Sequence, residues 1–162
     1  DHTGNRTESP EEAAEVVAQV RVYLGKLWTD PEHSDTPRPL VPTDFLVVAP
    51  YNAQVGLIRR ALDKAGLSGV QVGTVDKFQG REAPIVFFSL ATSSGENVPR
   101  DLTFLFSRNR LNVAVSRAKA LAILVASPRL LEVACRTVEQ MRLVNGWCRF
   151  VELAGDVSGN AE

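Results

Sequence analysis

The sequence predicts an α/β domain built on a mainly parallel sheet, and three observations predict it. Apolar residues come in short runs, Phe45 to Ala49, Ile85 to Ala91 and Leu121 to Ala126, with the length of strands buried on both faces. Segments with helical spacing alternate with those runs, as crossovers between parallel strands require. The 162 residues, 44% apolar and 23% charged, suffice for one core and exclude a disordered or collagen-like chain.

Ser9-Pro10-Glu11-Glu12 opens the first helix: Ser9 caps it, Pro10 suits its first position, and Glu12 completes a capping box. Ala13, Val16, Val17, Val20, Leu24 and Leu27 then recur at helical spacing. Thr29 to Pro42, with four prolines, reads as a surface loop. The strand Phe45 to Ala49 ends at Pro50, and Asn52 is placed to cap a helix carrying Ile58, Ala61, Leu62 and Ala65. Gly66 closes that helix. A short strand, Val70 to Val75, leads into a polar loop, and the strand Ile85 to Ala91 is followed by a loop over Thr92 to Asp101. A helix over Asn109 to Ala118 feeds the strand Leu121 to Ala126, and Ser127-Pro128 starts another helix. No repeat or second domain is visible, so the domain spans 1–155 and a frayed tail spans 156–162. The chain opens at Asp1 without methionine, which suggests a piece of something larger.

No apolar run approaches the roughly 20 residues that span a bilayer, and the first residues lack the apolar core of a signal peptide. A cytoplasmic setting with no membrane partner is expected. Cys135 and Cys148 match no metal knuckle and read as a reduced pair, with one disulfide still conceivable. His2 and His33 read as solvated surface residues without catalytic roles, and no metal site is visible. Net charge is −1, which excludes a generically basic nucleic-acid binder. Its distribution is uneven: residues 1–44 hold nine acids and four bases, residues 100–149 nine bases and three acids. A cationic face for phosphates is compatible with this, as is an ordinary surface patch.

Three polar segments follow strands and can converge on one edge of the sheet, where parallel sheets gather ligands. In Val47-Val-Ala-Pro-Tyr-Asn-Ala-Gln54, a capped strand-to-helix turn explains Pro50 and Asn52 but not Tyr51 or Gln54. Exposed helix N-terminal amides there can cradle a phosphate. In Gly73-Thr-Val-Asp-Lys-Phe-Gln-Gly-Arg-Glu82, Asp76 and Gln79 have capping-box spacing, and Gly80 allows a sharp turn or a close phosphate. Glu82 offers a carboxylate suited to ribose hydroxyls; a solvated surface loop is the bland alternative. In Asn109-Arg-Leu-Asn-Val-Ala-Val-Ser-Arg-Ala-Lys119, a helix places Leu111, Ala114, Val115 and Ala118 on a core stripe. Arg110 and Arg117, seven apart, align beside it, and Asn112, Ser116 and Lys119 form a third stripe. Two guanidiniums there invite an anion, and each fork fits a phosphate; arginines snorkelling along the core edge are the plainer reading.

Together these segments carry a resemblance. Thr74 to Glu82 resembles motif V of superfamily 1 helicases, in the branch containing the nonsense-mediated-decay helicase and senataxin. Asn109 to Lys119 is similar to motif VI of that branch, and Val47 to Gln54 to its Pro-Tyr-x-x-Gln segment at motif IV. The opening His-Thr-Gly-Asn with Glu-Glu-Ala-Ala-Glu also resembles the entry to the domain. Order and spacing agree over most of residues 1–130. The resemblance is closest to bacterial proteins that fuse a RecB-like nuclease to such a helicase.

The resemblance implies the second RecA-like domain of an ATP-dependent helicase, a three-layer α/β domain. Arg117 matches the arginine finger that reaches the γ-phosphate of ATP, and Glu82 the acid that holds the ribose. Gly80 with Gln79 would approach the phosphates, and Arg110 matches a supporting arginine. Thr74 and Asn52, with Tyr51, match contacts to single-stranded nucleic acid, with DNA the favoured substrate. Lys119 departs from the pattern, since many relatives carry a second arginine there. The sequence has no Gly-x-x-x-x-Gly-Lys-Ser/Thr loop and no acidic strand ending to organise Mg²⁺. It is thus expected to supply half of an ATP and Mg²⁺ site completed by a first RecA-like domain of the same chain, and to be inactive alone. A non-motor binding module and a Rossmann-type enzyme are the rivals. The absence of Gly-x-Gly-x-x-Gly counts against the second, and the pairing of Arg117 with Glu82 against the first.

Overall fold

A computed structural model describes residues 2–30, 32–78, 80–98 and 102–155. Gln79 and the 156–162 tail lie outside the described residues, as does the side chain of Ala114. Four strands form the central sheet: β3 (Phe45–Val48), β4 (Gln71–Gly73), β5 (Ala83–Ser89) and β6 (Ala118–Val125). Their order is β4-β3-β5-β6 and all pairs are parallel. A separate antiparallel ribbon joins β1 (Leu27–Asp30) to β2 (Ser34–Pro39).

Because strand side chains alternate between faces, the sheet feeds two cores. On one face, α1 (Pro10–Tyr23) and α2 (Asn52–Lys64) bury Val16, Val20, Ile58 and Leu62 against Phe45, Val47, Ile85, Phe87 and Ile123. On the other, α3 (Leu102–Leu105), α4 (Arg108–Ser116) and α5 (Val138–Leu153) cover Leu46, Val48, Val86 and Phe88. Trp147 anchors that second core: it is fully buried, packs on Phe88 and Phe106, and donates its indole N–H to the Phe106 carbonyl at 3.1 Å. Truncating such a residue to alanine costs about 3–5 kcal/mol. The result is the expected three-layer α/β domain with a parallel sheet, consistent with a RecA-like fold.

Several local expectations fail for physical reasons. The Pro-rich stretch after Trp28 is a hairpin rather than a loop. Pro37 and Pro39 are tolerated because a two-stranded ribbon exposes edges that need no ladder donor, and Arg38 stacks over Trp28 at 5.0 Å. The arginine-rich helix stops at Ser116 and the strand begins at Ala118, so Lys119 stands on β6, bonded to Asp30 on the hairpin at 3.2 Å. The helical stripe therefore shortens: Leu111 and Val113 pack on the core, while Val115 is 42% exposed. Ser127-Pro128 starts only a single 3₁₀ turn, and α5 begins later, at the Thr137 cap. Asp76 lies inside a 3₁₀ turn, Val75–Phe78, and not at a cap. Asn52 is the first residue of α2, whose N-cap is Tyr51 and whose end carries no side-chain cap. Gly66, at φ +77°, closes α2 as expected.

The N-terminal segment departs most. Ser9 does cap α1, accepting from the Glu12 N–H at 3.1 Å. The Glu12 carboxylate does not complete the box but turns inward, accepting from Ser89 Oγ at 2.6 Å and the Ala91 N–H at 2.9 Å. Gln54, fully buried, supplies the missing half by accepting from the Ser9 N–H at 2.7 Å and donating to Ser89 Oγ at 2.9 Å. His2 is not a solvated residue: it is buried between Glu12 Oε1 (2.9 Å) and Ser93 Oγ (2.7 Å). His33 is exposed, as expected, and both cysteines are free thiols.

Candidate functional site

The expected site residues divide between the two edges of the sheet. At the amino edge, Ala83 opens β5 beside Ala118, which opens β6. The Ala83 N–H donates to the Arg117 carbonyl at 2.9 Å. Glu82 and Arg117 each stand one residue ahead of that pair and are therefore neighbours. Arg117 is the C-cap of α4, where a cation meets the negative end of the helix dipole. Its Nε is buried with no acceptor among the described residues. A buried guanidinium N–H left unsatisfied costs free energy that an anionic ligand can return. Glu82 is exposed beside it. Arg81 is held by Gln71, its Nη1 donating to Gln71 Oε1 at 2.7 Å.

Gly80 sets the approach to this edge. It has φ +80°, which L side chains rarely adopt, and a Cβ there would meet only open space. The glycine is thus required by the turn and not by crowding. Gly73 shows the opposite: a Cβ would lie 2.7 Å from Lys77 and 2.9 Å from Phe78, so its absence lets the 3₁₀ turn fold back on β4.

Tyr51, Asn52 and Thr74 lie at the carboxyl edge. Val48 pairs with Gly73, so the segments that follow β3 and β4 leave the sheet side by side. Asn52 is exposed and Thr74 half-buried. Tyr51 is largely buried, its ring 5.9 Å from that of Phe104. The Arg110 guanidinium lies 4.0 Å from the Phe104 ring centre, a cation–π contact. Seven residues of helix, about 10 Å, separate Arg110 from Arg117, because α4 runs back from the carboxyl edge to the amino edge. The structure therefore groups Arg110 with Tyr51, and Arg117 with Glu82.

The polar cluster of His2, Glu12, Gln54, Ser89 and Ser93 was not foreseen as a unit. One signal could have found it: Ser89 is a hydroxyl within an otherwise apolar strand, and such a group needs a partner. Asp30, Glu32 and His33 also bring possible ligand atoms within 4.8 Å of one another. The Lys119 ammonium occupies those carboxylates, at 3.2 and 3.5 Å. No helix among the described residues is long and apolar enough to cross a membrane.

Residues 2–129 match the family model described as an AAA domain. The chain is 34% identical to the mov-10-B.2 protein of Danio rerio over 85% of its length, which is 14% of that relative. It is 50% identical to the DNA polymerase alpha-associated DNA helicase A of Schizosaccharomyces pombe over 47% of its length and 11% of the relative. It is 38% identical to the DNA replication ATP-dependent helicase/nuclease DNA2 of Mus musculus over 53% of its length and 8% of the relative. The chain thus spans well under a fifth of each relative. With its parallel three-layer fold and motif order, it belongs to the AAA-domain family, as a RecA-like superfamily 1 helicase domain related to the Mov10 and DNA2 helicases.

Proposed function

We propose that this chain is the second RecA-like motor domain of an ATP-dependent helicase, and that its amino edge closes on nucleotide held by a first domain. The observation that carries this reading is the pairing of Ala83 with Ala118, which sets Glu82 beside an Arg117 whose Nε has no acceptor among the described residues. Arg117 would donate its fork to the γ-phosphate as charge develops there, and Glu82 would accept from the ribose hydroxyls. Bound ATP would supply the phosphoryl group and Mg²⁺ would shield its charge; Arg117 would contribute donors and Glu82 an acceptor, while the first domain would hold the metal. Gly80 and Gln79 would lie along the phosphates, and Arg110 would support the nucleotide site without acting as its finger.

The carboxyl edge would carry the single strand, with Asn52 and Thr74 contacting phosphates and Tyr51 backing them. Closure at one edge would then shift the grip at the other. DNA is the proposed substrate, supported by the DNA helicases among the relatives; other relatives are named RNA helicases. A fused nuclease is proposed on the same footing, since one relative is a helicase/nuclease. A cytoplasmic setting completes the reading.

The test is Arg117→Ala in the longer protein. Turnover of ATP should fall about 10³- to 10⁵-fold, with nucleotide affinity and melting temperature little changed. Arg117→Lys should rescue poorly, because an ammonium lacks the planar fork. An early-melting variant with near-normal turnover per folded molecule would make Arg117 structural and refute the assignment.

A further inference from the structure

The β1–β2 hairpin pairs with no strand of the central sheet, yet it is tied to the amino edge of that sheet at two separate strands. Just ahead of β3, Asp44 accepts from two nitrogens of the Arg38 fork at 2.7 Å each. At the start of β6, Asp30 and Glu32 accept from the Lys119 ammonium at 3.2 and 3.5 Å. β5 lies between those two strands, so the two ties span about 10 Å of edge. Glu82 and Arg117, which lead into β5 and β6, stand on that same stretch.

Lys119 also marks an irregularity in the ladder. Ala83 pairs with Ala118 and Ile85 with Leu121, so Lys119 and Ala120 together oppose Pro84. A bulge of this kind bends its strand and re-aims neighbouring side chains. Arg117, the C-cap of α4, stands two residues before Lys119. The ion pair that holds the bulge is well covered, with the Lys119 and Asp30 side chains 22% and 19% exposed. Asp30 is itself fixed: its other oxygen accepts from the Glu32 N–H at 3.2 Å.

We propose, on the motor reading of Arg117 given above, that the hairpin aims this arginine. Asp30 and Glu32 hold the Lys119 ammonium, the ammonium fixes the bulge, and the bulge sets the direction of the guanidinium two residues earlier. Lys119 is thus a positioning residue that acts through Arg117 and touches no nucleotide. Its loss costs rate rather than affinity, because a misplaced donor matters most where charge develops.

The experiment has two arms. On the 162-residue chain, nuclear magnetic resonance follows hydrogen exchange of the buried Arg117 Nε–H, with the Trp147 indole N–H as internal control. Lys119→Met keeps the apolar stem and removes the charge. It should speed exchange at Arg117 about tenfold and leave Trp147 unchanged. Asp30→Asn combined with Glu32→Gln should do the same, and Lys119→Arg, which keeps the cation, much less. In the longer protein, Lys119→Met should lower kcat for ATP about tenfold at unchanged KM. An Arg117 Nε–H indifferent to both charge-removing variants overturns the proposal. A KM that rises at constant kcat also overturns it, since Lys119 would then contact nucleotide directly. Normal turnover in Arg117→Ala refutes the motor reading, and the positioning role with it, whatever the exchange data show.

Discussion

Two glutamates, one at each edge of the sheet, show how differently this domain treats a carboxylate. Glu12 is 2% exposed and accepts from Ser89 Oγ and the Ala91 N–H, with His2 on its other oxygen. Glu82 is exposed at the amino edge, beside the Arg117 Nε, which has no acceptor among the described residues. A polar group whose partners are all internal ties elements together and has nothing left to offer a ligand. A group whose partner is missing leaves the fold intact and is available for chemistry. The first kind joins the N-terminal segment, α1, α2 and β5 across as many as 91 positions of sequence. The second kind sits at the edge proposed above to meet a first motor domain.

Replacing Glu12 is therefore the larger perturbation of stability. Glu12→Ala strands a buried hydroxyl, a backbone N–H and the His2 ring, each at about 1–3 kcal/mol when unsatisfied. A net loss of about 3 kcal/mol lowers the melting temperature of a domain this size by roughly 6–12 °C. Thermal unfolding of the 162-residue chain measures it. Glu82→Ala on the same chain should change the melting temperature by no more than about 2 °C. If the two variants melt alike, the contrast between the edges fails.

The parts of this contrast that the sequence shows are those governed by local rules. The apolar runs over Phe45, Ile85 and Leu121 mark strands because burial on both faces demands continuous hydrophobicity. Ser9-Pro10 marks a helix start through its own backbone chemistry. Gly80 announces a turn. What stays hidden depends on groups distant in sequence. Glu12 has capping-box spacing, and only the fold reveals that Gln54 takes over its role while Ser89 and Ala91 claim the carboxylate. The His2 composition context is polar, yet Glu12 and Ser93 bury it. Arg110 and Arg117 look equivalent on a helical wheel. The early start of β6 and the Phe104 ring separate them.

In the longer protein the same contrast should divide function. Glu82→Ala should raise the KM for ATP about tenfold, the value of one lost hydrogen bond to a charged group, and leave single-strand affinity without nucleotide unchanged. Thr74→Ala combined with Asn52→Ala should do the reverse, weakening the single strand a few-fold and sparing the KM for ATP. Nucleotide-dependent turnover and fluorescence anisotropy on both variants read the two effects. A loss of both activities in either variant would mean that the edges are not separate sites.

The smallest expected effect tests a carboxylate that belongs to neither site. Asp44, at the amino end of β3, takes both oxygens to the Arg38 fork at 2.7 Å each and accepts from the Val41 N–H at 2.8 Å. Burial pushes its carboxyl up, but the Arg38 fork and the Val41 N–H outweigh it and hold it below the usual carboxylate range. A depressed pKa means that folding favours the ionised form. Its stabilisation is complete above the unfolded value, about 3.9, and is lost as pH falls through the folded value. The stability difference between the parent chain and Asp44→Asn should thus stay constant from about pH 7 to 5 and shrink below about pH 4. Arg38 is half exposed, so the pair should contribute less than the Glu12 cluster. Denaturant unfolding of both chains at pH 7, 5 and 3 measures the difference. A gap that widens towards pH 3 has the wrong sign for an ionised, paired Asp44, and would show that the hairpin is held to β3 by packing around Trp28 and Arg38 instead.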